Sequence, residues 1–249
     1  MKSPGGNDLA DDRYHNGKKG EGEFIPPSEF STDLLKFAGS SKIEKADARL
    51  ISIAGSGRVT GEVRCMDIDC RGSLHVGGSI IANTIRFAGS AEIGGSVSCA
   101  RAEINGSCKV AGATLVLENM RTSGSVSFGK DLVCGELNSA GLITGESVKA
   151  GSVNIDGAGN IHTIVCEKAE INNGRQRSSW LRLKTGPARE LRIQSIMAEK
   201  EVTLGICEVG ELTAGYARLL KSCKVGVLKY REGFDAEDGS VIGRSIKLD

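Results

Sequence analysis

The sequence predicts an all-β solenoid: a stacked β-helix with coils of about 17 residues, followed by a shorter block of about 16-residue coils. Three observations carry this. Columns of small or apolar residues recur with one shared period. Short runs inside each period alternate apolar and polar residues. Glycines return at a fixed place in the period. Self-similarity of this kind is the mark of a solenoid, in which each repeat buries its apolar face against the next.

The clearest column runs Ala48, Cys65, Ala82, Cys99, Val116, Cys134, Ala150 and Cys166, at spacings of 17, 17, 17, 17, 18, 16 and 16. A second runs Ile51, Ile68, Ile85, Ala102, Met120, Leu137, Val153 and Ala169. Val59, Val76, Ile93, Val110 and Phe128 form a third, and Val63, Ile80, Val97, Thr114, Leu132 and Val148 a fourth. A glycine column keeps the same register through Gly55, Gly72, Gly89, Gly106, Gly124, Gly141 and Gly157.

Segments such as Ile51-Ser52-Ile53 and Ala102-Glu103-Ile104 place apolar residues two apart, which is strand periodicity. The runs are too short for helices and end in Gly, Asn or Asp. Three short strands with a tight corner after each make one coil. The corner glycines are expected to supply positive φ. A β-sandwich also has short strands and Gly-rich turns, but its strands come every 8–12 residues or so without a longer fixed register. No Pro falls between Ala48 and Asn172, as a dense hydrogen-bond ladder requires.

The chain divides accordingly. Residues 1–23 are Gly-, Asp- and Lys-rich and read as a disordered tail. Residues 24–47 read as a linker or capping segment. Residues 48–171 are the main β-helix. Residues 172–190, with Trp180 and the basic side chains Arg175, Arg177, Arg182, Lys184 and Arg189, break the register as an interrupting loop. Residues 191–249 form the second block and a C-terminal cap. In that block Ile193, Val209 and Val225 share one column, and Ile196, Leu212 and Leu228 another. The sequence leaves open whether this block continues the first rod.

Composition narrows the function. A formal net charge of +1 over 249 residues gives no field for nucleic acid. No stretch approaches a membrane span, and the polar N-terminus lacks the apolar core of a secretory leader. Eight cysteines without a leader suit the reducing cytoplasm. Cys65, Cys99, Cys134 and Cys166 alternate with other residues in their column. Neighbours are thus two coils apart, beyond the reach of a disulfide or a shared zinc. They are expected to be small buried hydrophobes. The three histidines, His15, His75 and His162, lie far apart, and the latter two are expected to point outward. No catalytic, cofactor or metal site is assigned. An enzyme on a β-helix, such as an acyltransferase or lyase, would need clustered His, Asp or Lys at one level of the rod.

The ends of such a rod carry the functional expectation. Coils stacked at about 4.8 Å satisfy each other along the sides, but each end leaves unpaired backbone groups and an apolar centre. The end-coil core, and hence the polymerisation surface, is assigned to Leu50, Ile51 and Ile53 at one end and Val225, Leu228 and Tyr230 at the other. Upstream, Phe30, Leu34 and Phe37 are spaced 4 and 3, as on one face of a short helix. With Phe24 and Ile25 they are expected either to plug the first coil or to touch a membrane.

The motifs Gly72-Ser73-Leu74-His75-Val76-Gly77-Gly78-Ser79-Ile80 and Gly89-Ser90-Ala91-Glu92-Ile93-Gly94-Gly95-Ser96-Val97 resemble those of the bactofilins, polymer-forming cytoskeletal proteins of bacteria. The block ending Cys223-Lys224-Val225-Gly226-Val227-Leu228-Lys229-Tyr230 is similar to the longer forms of spore-forming bacteria. The resemblance spans about Lys42 to the C-terminus. It implies a right-handed β-helix and nucleotide-independent filaments that organise the cell envelope, shape or motility. It implies cytoplasmic location, at the inner face of the membrane where an N-terminal peptide binds it. Implied partners are further copies of the chain, a paralogous scaffold protein or envelope proteins. Family members often carry a short apolar N-terminal peptide, whereas Met1-Lys2-Ser3-Pro4 is polar. The alternative from another class is a β-helix regulatory module that forms only small oligomers.

Overall fold

The computed structural model describes residues 29–172 and 191–249. These form a parallel β-solenoid of about twelve turns, which at the spacing between paired strands gives a rod on the order of 55–60 Å long. Among the described residues there is no helix.

Through the first half, each coil is a long strand followed by a short one. Ala46–Ile53 is followed by Ser56–Val59, then Val63–Cys70 by Ser73–Val76, and Ile80–Phe87 by Ser90–Ile93. The long strand bends. Ala48 pairs with Cys65 and Leu50 with Asp67, while Arg49 and Met66 drop out of the register. Each coil is therefore three-sided. Inward residues alternate with outward ones on every side: Ala46, Ala48, Ile51 and Ile53 are buried and Arg49 is exposed. The inward set forms one continuous apolar core.

The changes of period in the sequence have local causes. The 18-residue spacing is a β-bulge between Val116 and Asn119, where one extra residue leaves the ladder. The 16-residue spacing is a shortened corner. Phe128 and Leu132 are separated by three residues, whereas their partners Gly145 and Val148 are separated by two. With that corner tightened, the strands on either side merge into Leu142–Asp156 and Ala158–Asn172.

Positive φ is not the reason for the corner glycines, contrary to the sequence-based expectation. Among the described glycines only Gly159 and Gly239 have positive φ. The glycine column is set by close approach. A Cβ on Gly72 would lie 1.9 Å from the carbonyl oxygen of Gly55, and one on Gly89 1.9 Å from that of Gly72. The coils touch backbone to backbone at this edge.

One boundary differs from that read off the sequence, and one question the sequence left open has an answer. The rod begins before residue 48: Thr32–Phe37 and Ser40–Ile43 are strands that pair with Ala46–Ile53 and Ser56–Val59. The segment 24–47 is thus, in its described part, a coil of the rod rather than a linker. The helix expected from Phe30, Leu34 and Phe37 is absent because the ladder with Ala46–Ile53 satisfies the backbone of Thr32–Phe37, and long-range pairing overrides local spacing. The second block also joins the first. Leu191–Ala198 pairs with Ala158–Asn172 from Gly159↔Leu191 to Cys166↔Ala198, and Glu201–Leu204 pairs with the end of the same strand. The stack therefore continues from Asn172 to Leu191 as one ladder, and residues 173–190, read from the sequence as an interrupting loop, lie outside the described residues. Trp180 and the basic residues near it, like Phe24 and Ile25, lie outside the described residues.

Candidate assembly surfaces at the two ends of the rod

Each predicted end-coil residue has a definite place, and most are not at an end. Ile51 and Ile53 are each 1 % exposed, because Leu35 and Phe37 pair with them from the coil before. Leu50 is half-buried and pairs with Leu34 and Asp67 in an outward column, so it is not core. Val225 and Leu228 are buried under the strand Val241–Lys247. Tyr230 is half-buried and also pairs with that strand, through Lys247. Of the upstream apolar residues, Phe30 is half-buried, Leu34 is 43 % exposed on the outside, and Phe37 is 2 % exposed.

The N-terminal mouth is built by Thr32–Phe37 and Ser40–Ile43, which among the described residues are paired on one side only. Leu35 and Phe37 continue the columns of Ile51 and Ile53, and Ile43 continues that of Val59. Phe37 sits against Gly57: a Cβ there would lie 3.5 Å from the Phe37 ring. The missing side chain makes room for the aromatic one. The rim is charged and tied down. Arg49 reaches Asp33 at 3.4 Å, and Arg64 reaches Asp47 at 3.0 Å. The hydrogen bond from Arg64 holds the Asp47 carboxyl below its usual value. Sequence inspection missed Leu35 and Ile43, yet a signal exists: each stands 16 residues before its partner, Ile51 and Val59.

The C-terminal mouth has a different character. In the last coil the small inward residues Ala214 and Ala217 are followed by Tyr230 and Phe234, whose rings meet edge to face with centroids 5.0 Å apart. The final strand, Val241–Lys247, keeps Ile242 in the column of Val225 but sets Ser245 below Leu228 and Lys247 below Tyr230. Two inward columns that are apolar through the neighbouring coils therefore end in a hydroxyl and an ammonium. At the rim, the Tyr216 hydroxyl donates to Asp235 at 2.7 Å, and Lys229 pairs with Glu211 at 2.7 Å.

Along the sides, outward residues stack into ladders. Ser40, Ser56, Ser73, Ser90, Ser107 and Ser125 are in continuous register, beside Lys42, Arg58, His75, Glu92 and Lys109. This open groove has a volume of about 760 Å³. His75 faces outward and lies 3.4 Å from Glu92, and His162 is exposed.

Comparison of the chain with protein-family models, with curated proteins and with solved structures returned no match. The bactofilin resemblance rests on the repeat motifs themselves.

The cysteines have the expected character of buried hydrophobes. All eight are free and buried, and burial pushes the thiols of Cys65, Cys99, Cys108, Cys134 and Cys166 up to about 12. Among the described residues no three His, Cys, Asp or Glu side chains converge on a metal-sized space, and no helix is long and apolar enough to cross a membrane.

Proposed function

We propose that this chain is a self-assembling scaffold of the bactofilin kind, whose rods join end to end without a nucleotide and serve to organise the cell envelope, shape or motility from the cytoplasmic side. The observation that carries the reading is the N-terminal mouth. Leu35 and Ile43 are half-buried members of core columns, on strands with one open edge among the described residues. An open parallel edge around an apolar centre is a template for another copy. The driving force is burial of that surface, which needs no cofactor. Eight free thiols suit a reducing compartment.

A second reading has an observation of its own. Ser245 and Lys247 make the C-terminal mouth partly polar, which resembles the polar caps that keep solenoids from growing. Joining through N-terminal mouths alone would then stop at a discrete pair, as a regulatory interaction module requires.

Electron microscopy of the purified full chain, without nucleotide, separates the two: filaments support the scaffold, and uniform paired rods support the module. In either case Leu35→Asp is expected to return the assembly to single rods with the circular-dichroism spectrum unchanged. Wild-type chain that stays single at high concentration, by light scattering, would overturn both readings.

A further inference from the structure

Cys207 and Cys223 stand apart from the other six cysteines. In the column of Cys65 and Cys99, Ala82 intervenes, and in that of Cys134 and Cys166, Ala150 does. Cys207 and Cys223 lie on consecutive coils. The Lys224 amide donates to the Cys207 carbonyl at 3.0 Å, which fixes one over the other, and the two Sγ atoms are 3.9 Å apart. Neighbouring parallel strands bring Cα atoms to about 4.8 Å, inside the range of roughly 4.4–6.8 Å that a disulfide spans. Turning the two side chains toward each other, with a small approach of the two coils, closes the remaining gap.

Their surroundings permit the reaction in order. Cys207 follows the bend at Gly205-Ile206 and is 6 % exposed, whereas Cys223 is fully buried. Cys223 follows Ser222, the one non-glycine residue with positive φ among the described residues (φ 63°), so a tight turn delivers it to its place. Donating its own hydrogen bond to the Cys223 sulfur, and buried, the Cys207 thiol is held above its usual value. Attack on an oxidant is therefore slow at neutral pH and faster in alkali.

We propose that Cys207 and Cys223 are a dithiol–disulfide pair that staples the last coils of the rod together when a small-molecule disulfide is present. Cys207, as thiolate, attacks one sulfur of the reagent. A mixed disulfide forms and one reagent thiolate leaves. The Cys223 thiolate then attacks the Cys207 sulfur, the protein disulfide forms, and the second reagent thiolate leaves. The two protons lost by the cysteines end on the two reagent thiols, so the pair is oxidised by two electrons and the reagent reduced by two. The bond ties Glu208–Leu219 to Lys224–Ala236, the two coils beneath the last strand, and keeps the C-terminal mouth from fraying.

The test is oxidation of the folded full chain with glutathione disulfide at mildly alkaline pH, acid quenching, alkylation of free thiols, and non-reducing tryptic mass spectrometry. The expected product joins peptide 201–218 to peptide 222–224, with the other six cysteines alkylated. The melting temperature rises by about 5 °C or more and falls back on reduction. Cys207→Ala, a change to a side chain that the core already accepts at Ala198 and Ala214, abolishes both the joined peptide and the rise. Recovery of Cys207 and Cys223 as free thiols, as mixed disulfides only, or scrambled among the other cysteines in folded protein would overturn the proposal.

Discussion

Leu35 lies in register with Ile51, one coil nearer the N-terminus and in the same inward column. Among the described residues Leu35 is therefore the open core position of this column, and Ile51 is interior. The two sites respond differently to a charge. Leu35→Asp leaves the carboxylate near water and is expected to cost assembly, not folding. Ile51→Asp buries an unpaired carboxylate and is expected to destabilise the fold by about 3 kcal/mol or more. Circular-dichroism melts and light scattering on the two variants check the contrast. Equal melts would place Ile51 at an end after all.

The glycine column predicts a sharp positional effect. Gly72→Ala forces a methyl to 1.9 Å from the Gly55 carbonyl oxygen, so neighbouring coils must separate at that edge, at a cost of about 2–4 kcal/mol. Gly39→Ala, with nothing within 4 Å of the added carbon, is expected to be neutral or to stabilise by up to about 1 kcal/mol. Chemical denaturation of both variants measures the difference.

The buried thiols make stability fall in alkali. Burial raises Cys65, Cys99, Cys108, Cys134 and Cys166 to about 12 in the folded chain, above the value of roughly 8.5 for an unfolded cysteine. The folded state then holds more protons than the unfolded one between those limits. Stability is whole below about pH 8.5 and declines as pH rises toward 12, by at most about 1.4 kcal/mol per pH unit for each thiol. Denaturation midpoints from pH 8 to 11 should fall accordingly. Cys99→Ala should flatten the decline by one thiol's share, and an unchanged slope would contradict the assignment.

Thr122 and Ser139 are stacked in register inside the rod, and neither hydroxyl oxygen has a hydrogen-bond partner among the described residues. Both stand in the column of Ile104 and Ile155. Thr122→Val replaces the hydroxyl by a methyl of similar shape and is expected to stabilise the chain by about 1 kcal/mol. A drop in the unfolding midpoint would mean that the hydroxyl is satisfied in solution.

Much of the fold was legible because a solenoid writes its register into the chain. Each inward column is a set of residues one period apart, so Ile51, Ile68 and Ile85 could be aligned with nothing but counting. The bulge after Val116 and the short corner after Gly145 appear in the sequence as spacings of 18 and 16. The ends were read less well. Phe30, Leu34 and Phe37 mimic a helical face, and with no coil before them among the described residues no column flanks them on both sides. Leu35 and Ile43 signal their role only through single spacings to Ile51 and Val59.

By itself, then, the sequence determined the strand period, the inward set and the character of the cysteines, since these follow from local alternation and a repeated length. The tertiary structure decided that the stack extends upstream of residue 48 to Thr32, that Leu191 stacks on Gly159, and that Ser245 and Lys247 stand at the end of two core columns. Each of these is a pairing between strands far apart in the chain or at its margins. Such pairings are set by which backbone edges meet, and no local pattern encodes that.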